Sequence, residues 1–274
     1  MLIRNSEVKK LSDDIRKIID GQTVDLRDNR EGVWGILKND IHTLATLKSE
    51  QVDALGCERD VMKDTLTNIS HQLKTPLTSM MIMADLLETA PSNKQSEFLI
   101  NIKVCLTRLW WLSSALLKIA KLDAGAVEFS KDIVQSDILI NHAIEPLQTL
   151  FDLKNHRVEI SGEAKLLCDK HWTAEAVTNV VKNASEYSPD GGKILIESGM
   201  NPICSWIAIT DSGEGITNTT IANLFKRFSG SRSDHGYGIG LPLALAIMQS
   251  QNGDIEVEGG GNGSGATFTL KFYK

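Results

Sequence analysis

The sequence HQLKTP at residues 71–76 places a histidine on a stretch with helical hydrophobic periodicity and a proline five residues after it. His71 falls between two apolar positions of the predicted buried stripe, and Thr75 shares its outer face. Pro76 has no N–H for the Gln72 carbonyl, so we expect a kink there, at a cost of about 3 kcal/mol. An exposed neutral imidazole is a nucleophile that a bulky phosphate donor can approach in line. Most exposed helical histidines are only solvated, so this segment alone leaves both interpretations open.

Two asparagines, Asn179 and Asn183, lie four residues apart in another segment of helical period. Their amides therefore share one helical face. The amide oxygens are hard ligands suited to Mg²⁺, an ion that keeps several waters and bridges substrate phosphates. For an isolated pair of this kind, a solvated helix face is the commoner explanation.

Two glycine-containing segments follow. In DSGEGI, directly after an apolar strand pattern, the Asp211 carboxylate can accept from an exocyclic amine, and the following glycines let the backbone approach a flat ring. In GYGIG, which opens an apolar helical segment, unhindered N–H groups at a helix start can hold phosphate. A tight turn and a flexible loop are the alternatives. The four signals are weak singly, and they gain weight from occurring in this order along one chain.

The elements that must position these residues begin with helices. Residues 1 to about 55 predict a helix, a polar connector and a second helix. From Glu58 an apolar stripe predicts a long helix, and after the turn TAPSNKQSE a second one ends at KLDAG, with Gly125 as its C′ residue. Two long helices with a short connection fold as an antiparallel hairpin, and two chains would cover both stripes in a four-helix bundle.

After Gly125 the pattern changes to short strands and helices, which predict an α+β layer with strands in pairs and helices on one face. In order, the predicted elements are strand VEFSKDIV, helix SDILINHAIEPLQTLFDLK, strands HRVEISG and KLLCD, helix HWTAEAVTNVVKNASEY, strands GGKILIESG and CSWIAITD, helix LPLALAIMQSQ, and strands DIEVEG and ATFTLKFYK.

The bulk composition excludes several classes of protein. A net charge of −6 over 274 residues gives no electrostatic reason to expect nucleic acid as a partner. The four cysteines are far apart and suggest neither a zinc site nor a disulfide framework. No apolar run reaches the length of a membrane span, and the first residues lack a signal peptide, so the chain as given is expected to be cytoplasmic.

Taken in order, these segments resemble the five boxes of bacterial two-component sensor histidine kinases. SHQLKTPLTSM is similar to the histidine box, TNVVKNASEYSP to the asparagine box, DSGEGI and HGYGIGLPLALAI to the glycine boxes, and LFKRF to the phenylalanine box. The resemblance implies a dimerisation and phosphotransfer hairpin at 58–125 and an α/β-sandwich ATP-binding domain of the gyrase-like class at 126–274. Residues 1–57 look like a HAMP-type signal relay, with a plain coiled coil as the alternative.

The resemblance also implies site residues. His71 is the expected phosphoacceptor, Asn183 the expected Mg²⁺ ligand, and Asp211 the expected reader of adenine. The expected ATP contacts are Asn179, Lys182, Asn183, Tyr187, Asp211, Gly213, Gly215, Ile216, Phe225, Phe228, Gly236, Gly238, Gly240, Leu241 and Thr267. Lys226, Arg227 and Arg232 are candidates for offsetting phosphate charge, and the sequence does not choose among them.

Two residues depart from the family pattern. Gln72 stands where relatives commonly carry Glu or Asp; an amide can orient the imidazole but is no base of comparable strength, so we expect slow or partner-regulated phosphotransfer. Glu186 stands where relatives often carry a basic residue, so Lys182 is expected to supply the local positive charge. Thr75 fits the family position associated with dephosphorylating the response regulator.

The implied partners are a response-regulator receiver domain and a second copy of the chain. A HAMP-type relay normally follows a membrane helix, which favours the cytoplasmic part of an inner- or plasma-membrane sensor, attached only through a segment absent here, over the alternative of a soluble relative. Two alternatives to the autokinase remain: an enzyme that acts mainly as a phosphatase of the regulator, and a nucleotide-binding dimeric scaffold with weak catalysis. The stimulus and the choice between cis and trans transfer are outside what the sequence determines.

Overall fold

The computed structural model describes residues 5–19, 24–27, 33–89, 91–217, 221, 223–228, 238–260 and 265–274. The chain divides into two units, residues 1–67 and 68–274. In the first unit, helix α1 (Asn5–Ile19) and the irregular segment at 24–27 each contribute one buried leucine, Leu11 and Leu26. Among the described residues, no helix combines the length and the apolar character needed to cross a membrane.

Two long helices form the hairpin that the sequence predicts. Helix α2 (Val33–Thr89) begins in the first unit and runs uninterrupted through Pro76, and helix α3 (Ser92–Asp123) follows it. The separate helix expected to start at Glu58 is therefore part of a longer one, since nothing between 51 and 58 stops the helical hydrogen bonding. At the end of α3, Gly125 takes the left-handed conformation (φ 61°) of a C′ glycine, as predicted.

The rest of the chain is a sheet covered by helices. Strand β2 pairs parallel to β4, the other neighbours in the order β2-β4-β5-β7-β6 are antiparallel, and β1 and β3 form a separate ribbon. Its elements are β1 (Asp132–Gln135), α4 (Ser136–Ile144), a 3₁₀ turn (Glu145–Leu147), α5 (Gln148–Lys154), β2 (Arg157–Gly162), β3 (Lys165–Cys168), α6 (Lys170–Tyr187), β4 (Lys193–Met200), β5 (Cys204–Thr210), α7 (Gly240–Ser250), β6 (Gly253–Gly259) and β7 (Ala266–Tyr273). The predicted fold, a helical hairpin followed by an α/β sandwich, is confirmed.

Apolar side chains of the hairpin join the core of the sandwich. Helices α6 and α7 pack on the sheet, α4 packs on α6, and the last part of α3 packs on α7. Along β7 buried and half-buried residues alternate until its last residue, as expected for a strand with one face on a core. The members that α3 contributes to this core are Leu112, Ala115, Ile119 and Leu122.

Besides the start of α2, two elements differ from the sequence prediction. The first strand of the sandwich begins only at Asp132, so most of VEFSKDIV lies outside it. The single helix predicted over 136–154 is divided by the 3₁₀ turn at 145–147. Pro146 explains the division, because it has no N–H to continue the α-helical hydrogen bonding.

Candidate active site

The structure places His71 on the solvent side of α2. Its side chain is exposed, that of Leu73 packs against the core, and Pro76 is buried. The Thr75 hydroxyl donates to the His71 carbonyl at 3.2 Å, the usual bond of a helical threonine to the preceding turn. The helix thus holds the His71 ring at an open surface, with the half-buried Gln72 beside it.

The two asparagines of α6 have different environments. The Asn179 amide nitrogen donates to the Glu175 carbonyl at 2.9 Å, and its Oδ1 faces Gly240, where a Cβ atom would lie 3.1 Å away. Asn179 therefore connects α6 to the beginning of α7. Asn183 is half-buried, and its side chain makes no hydrogen bond to any described residue, so its amide oxygen is available to a ligand.

Helix α6 is fixed at both ends by short polar side chains. At its start, Asp169 Oδ1 accepts from the backbone N–H groups of His171 and Trp172 at 3.0 and 3.1 Å, which is N-cap geometry. At its end, the buried Ser188 hydroxyl accepts from the backbone N–H of Ser212 at 3.1 Å. The second bond joins the end of the asparagine-bearing helix to the residue that follows Asp211.

Asp211 is buried just beyond the end of β5. Its Oδ1 accepts from the backbone N–H groups of Gly213 at 2.8 Å and Ala266 at 3.1 Å. Burial raises the pKa of the carboxyl, and these two N–H groups oppose the rise. Since both bonds end on one oxygen, Oδ2 remains for an external donor such as an exocyclic amine.

The turn after Asp211 is closely packed against other backbone. A Cβ atom at Gly213 would lie 2.7 Å from the Tyr187 carbonyl oxygen, and one at Gly215 (φ 84°) would overlap the Gly260 carbonyl oxygen. These two positions accept only glycine for steric reasons, apart from any contact with a ligand. The Tyr187 side chain is exposed.

The loop between β6 and β7 also shapes the turn, which the sequence interpretation missed. Gly265 (φ 72°) lies directly against the Asp211 carbonyl oxygen, and its N–H donates to the Gly213 carbonyl at 3.1 Å. Gly259 is in similar close contact with the Ile216 carbonyl. The run GGGNGSG at residues 259–265 was the available signal, because so many glycines between two strands indicate a close backbone approach.

Other predicted contacts lie around this turn and around α7. Thr267 lies opposite Thr210 across β5 and β7, with their hydroxyls 2.9 Å apart. Gly240 is the first residue of α7, Leu241 is buried and Ile216 is half-buried. Gly236 and Arg232 lie outside the described residues.

The phenylalanine segment is anchored at both of its described ends. Phe225 and Phe228 are half-buried and pack against the core. The Phe228 N–H donates to the Gly238 carbonyl at 3.0 Å, so the chain entering and the chain leaving residues 229–237 are joined. Phe228 holds φ at 63°, a conformation that costs a bulky residue about 1–3 kcal/mol.

Basic side chains near the site are paired with the hairpin or with α6. Arg227 Nη2 lies 2.8 Å from both carboxylate oxygens of Asp123, the last residue of α3. Lys182 Nζ lies 5.1 Å from the centre of the Trp111 ring and 3.8 Å from the Glu186 carboxylate. In this structure, the charge of Lys182 is thus directed towards α3 and Glu186.

A divalent ion at this site would depend on few protein ligands. Across the described residues there is no group of three His, Cys, Asp or Glu side chains that could hold a metal. The Asn183 amide oxygen is a single hard ligand, which fits an ion such as Mg²⁺ that otherwise binds water and substrate phosphates.

Comparison with protein families identifies two matching segments. Residues 61–125 match the His Kinase A (phospho-acceptor) domain. Residues 168–274 match the Histidine kinase-, DNA gyrase B-, and HSP90-like ATPase family. His71 lies in the first segment, and Asn183 and Asp211 lie in the second.

Individual relatives and structures agree with these matches. The heme sensor protein HssS of Staphylococcus saprophyticus is 32% identical over 178 residues, which are 62% of this chain and 37% of that protein. The chain therefore spans little more than a third of this relative. The structure is similar to the Acinetobacter baumannii histidine kinase AdeS (TM-score 0.61, 21% identity, 74% of this chain and 97% of that one). It is also similar to histidine kinase ThkA in complex with response regulator protein TrrA (TM-score 0.61, 17% identity, 83% and 66%).

Proposed function

The chain belongs to the histidine kinases, and from that premise we propose that it is an ATP-dependent autokinase that phosphorylates its own His71. One observation carries the proposal: an exposed imidazole on α2 occurs in the same chain as a buried Asp211 surrounded by closely packed glycines. The first group is an accessible phosphoryl acceptor, and the second is a site for a flat purine. The phosphoryl group then passes to an aspartate of a response-regulator receiver domain.

Binding of the nucleotide divides among three parts of the site. Asp211 Oδ2 accepts from the adenine amino group, while the packed glycine turn leaves space for the ring. The helix start at Gly240 directs N–H groups towards phosphate. Asn183 would hold Mg²⁺, which neutralises phosphate charge when bound.

Transfer requires that the His71 ring reach the terminal phosphate in the correct tautomer. One ring nitrogen attacks in line and bonds to the terminal phosphorus while the bond between that phosphorus and the bridging oxygen breaks, so ADP leaves with the electron pair and the proton on the other ring nitrogen passes to solvent. Gln72 can accept from the other ring nitrogen and so fix the tautomer, but it does not remove a proton as a carboxylate would. Slow transfer is the expected consequence.

The direct test is incubation of the chain with γ-labelled ATP and Mg²⁺. We expect acid-labile, base-stable label on the wild type, and a loss of at least about 100-fold in the His71→Ala variant because the nucleophile is absent. ATP binding should be unchanged in this variant. Label that persists in His71→Ala would contradict the assignment of the phosphoacceptor.

The principal alternative is a phosphatase of the regulator, motivated by Thr75 and by Gln72 in place of a carboxylate. Loss of label from a phosphorylated receiver domain, sensitive to Thr75→Ala and with no autophosphorylation of the wild type, would favour it. Retained ATP binding with neither activity would favour the scaffold. Autophosphorylation, dephosphorylation and ATP binding can all be measured on the same protein preparation.

The ion pair between Arg227 and Asp123 leads to a prediction about the phenylalanine segment. The Asp123 carboxylate occupies the guanidinium that could otherwise contact phosphate, and the pair is partly exposed. We expect Asp123→Asn to lower the KM for ATP about 2- to 5-fold, since such pairs contribute about 0.2–1 kcal/mol. Steady-state autophosphorylation measures it.

A double-mutant cycle supplies the control for this prediction. In an Arg227→Ala background, Asp123→Asn should leave the KM unchanged, because the competing partner is gone. An equal effect of Asp123→Asn in both backgrounds would show that Asp123 acts independently of Arg227.

We further propose the assembly and location that the sequence implies. The three parts are a HAMP-like or coiled-coil relay at 1–57, the phosphotransfer hairpin at 58–125 and the ATP-binding domain at 126–274. Two copies would pair through the hairpin, whose apolar side chains include the exposed Leu77, Leu86 and Leu106. A membrane sensor of which this is the cytoplasmic part is the proposed context.

A further inference from the structure

The turn between α6 and β4, residues 188–192, lies between the nucleotide-binding turn and a second polar segment. On the nucleotide side, the Ser188 hydroxyl accepts from Ser212 N–H, next to Asp211. The carbonyl oxygen of Tyr187, the residue before this turn, packs against Gly213, where a Cβ atom would lie 2.7 Å away. Any change in the position of this turn is therefore transmitted to Asp211.

On its other side, the turn is held by residues 154–157. The backbone N–H of Gly191 donates to the Lys154 carbonyl at 2.7 Å, and that of Arg157 donates to the Gly192 carbonyl at 3.0 Å. The Lys154 ammonium donates to the Ser185 carbonyl at 2.8 Å, near the end of α6. A lysine at a helix C-terminus stabilises the unpaired carbonyls there.

His156 is the one residue of this segment whose side chain joins α6 to the turn. Its Nε2 lies 3.2 Å from the Pro189 carbonyl oxygen, and its Nδ1 lies 3.1 Å from the Ser185 hydroxyl. Because a carbonyl only accepts, Nε2 must carry the proton. In the neutral ring, Nδ1 then accepts from the Ser185 hydroxyl, so both ring nitrogens are matched.

We propose that His156 is a positioning residue for the nucleotide site, which in its neutral form holds the α6–β4 turn against Asp211 so that acidification weakens nucleotide binding. This inference rests on the proposed function. His156 does not touch the nucleotide and acts only through the turn.

Protonation of His156 removes the acceptor that Nδ1 offers to the Ser185 hydroxyl. The charged ring has two donors, and the Ser185 hydroxyl, which is fully buried, must turn around to accept. The charged groups that face the ring are Lys154, which repels the protonated form, and Asp190, which attracts it. Burial is the largest effect and lowers the pKa of His156 below its usual value of 6.5, so the neutral form prevails at neutral pH.

The lowered pKa of His156 determines how stability depends on pH. A histidine whose pKa is lower in the folded chain binds its proton more weakly there than in the unfolded chain. Its contribution to stability is therefore present above pH 6.5 and is lost as the pH falls from 6.5 through the lowered pKa. Nucleotide affinity should decline with the neutral fraction of His156 in the folded chain.

The test is calorimetric titration of the full chain with Mg·ADP between pH 5.5 and 8, for the wild type, His156→Gln and His156→Phe. ADP itself titrates in this range, so the informative quantity is the difference between proteins. The His156→Gln variant retains a hydrogen-bond donor and an acceptor but no titratable group. The His156→Phe variant retains an aromatic ring without any hydrogen-bonding atom. The exposed His142 of α4 offers a matched control, His142→Gln.

At pH 8 we expect the ADP affinity of His156→Gln to lie within about 3-fold of the wild type. That of His156→Phe should be about 10-fold weaker, the effect of losing roughly one hydrogen bond. Towards pH 5.5 the wild type and His142→Gln should lose affinity relative to His156→Gln. A pH profile of His156→Gln that matches the wild type would overturn the inference, as would unchanged binding by His156→Phe. A wild type that binds no ADP at any pH would instead contradict the proposed function. Thermal unfolding of each variant identifies any that fails to fold.

Discussion

Replacing Asp211 by asparagine is expected to weaken ATP binding by about 100-fold without unfolding the chain. The substitution keeps Oδ1 as the acceptor for Gly213 and Ala266, whose N–H groups it binds at 2.8 and 3.1 Å. It replaces Oδ2 by an amino group, which would oppose the amino group of adenine instead of accepting from it. Two facing donors in a buried site lose the bond and leave both groups unsatisfied.

Calorimetric titration and thermal unfolding of the same samples check this prediction. Because burial raises the pKa of Asp211, ionising this carboxyl costs more free energy in the folded chain than in the unfolded chain, so stability decreases as the pH rises through the raised pKa. Asparagine should therefore leave stability at pH 7 unchanged or raised while binding is lost. Wild-type binding should weaken as the pH falls through the raised pKa.

The exposed Asp152 of α5 supplies the control substitution for Asp211. Asp152→Asn removes the same charge from the surface and should leave both ATP affinity and its pH dependence unchanged. If Asp211→Asn bound ATP as tightly as the wild type, Asp211 would not be the residue that reads adenine.

Gly265→Ala is expected to cost about 2–5 kcal/mol of folding free energy, the sum of a left-handed alanine and an overpacked contact. The added Cβ would overlap the carbonyl oxygen of Asp211 and approach its Oδ1 to 3.0 Å. Relief requires the β6–β7 loop to move away from Asp211, so nucleotide binding should fall together with stability. Urea unfolding and ADP titration measure the two effects.

Gly125→Ala separates backbone strain from steric overlap. Gly125 also has positive φ, 61° against 72° at Gly265, but an added Cβ there meets nothing within 4 Å. The Gly125→Ala substitution should lower the free energy of unfolding only by the conformational part, about 1–2 kcal/mol, with no effect on ADP binding. Equal losses in the two variants would mean that the close approach of Gly265 to Asp211 does not restrict the site.

This pair of glycines illustrates the limit of sequence interpretation at the site. Both precede an alanine, and although the glycine run at 259–265 indicates a close backbone approach, it does not say which of its glycines meets Asp211. The position of His71 was easier to predict from sequence, because the apolar stripe of α2 alone indicates that this side chain faces outwards. The Arg227 pair was the hardest of the three, since its partner Asp123 lies 104 residues earlier in the chain.

The sequence by itself determined most of the elements, the class of fold and the order of the chemical groups along the chain. Hydrophobic periods of 3.6 and 2 are local properties, which is why α6, α7 and strands β4 to β7 fall close to their predicted bounds. Tertiary structure alone decided that Asp211 is enclosed by the β6–β7 loop, that β2 pairs parallel to β4, and that His156 supports the turn next to Asp211. These contacts join segments about 30 to 55 residues apart, and their geometry depends on how the whole sheet and its helices pack.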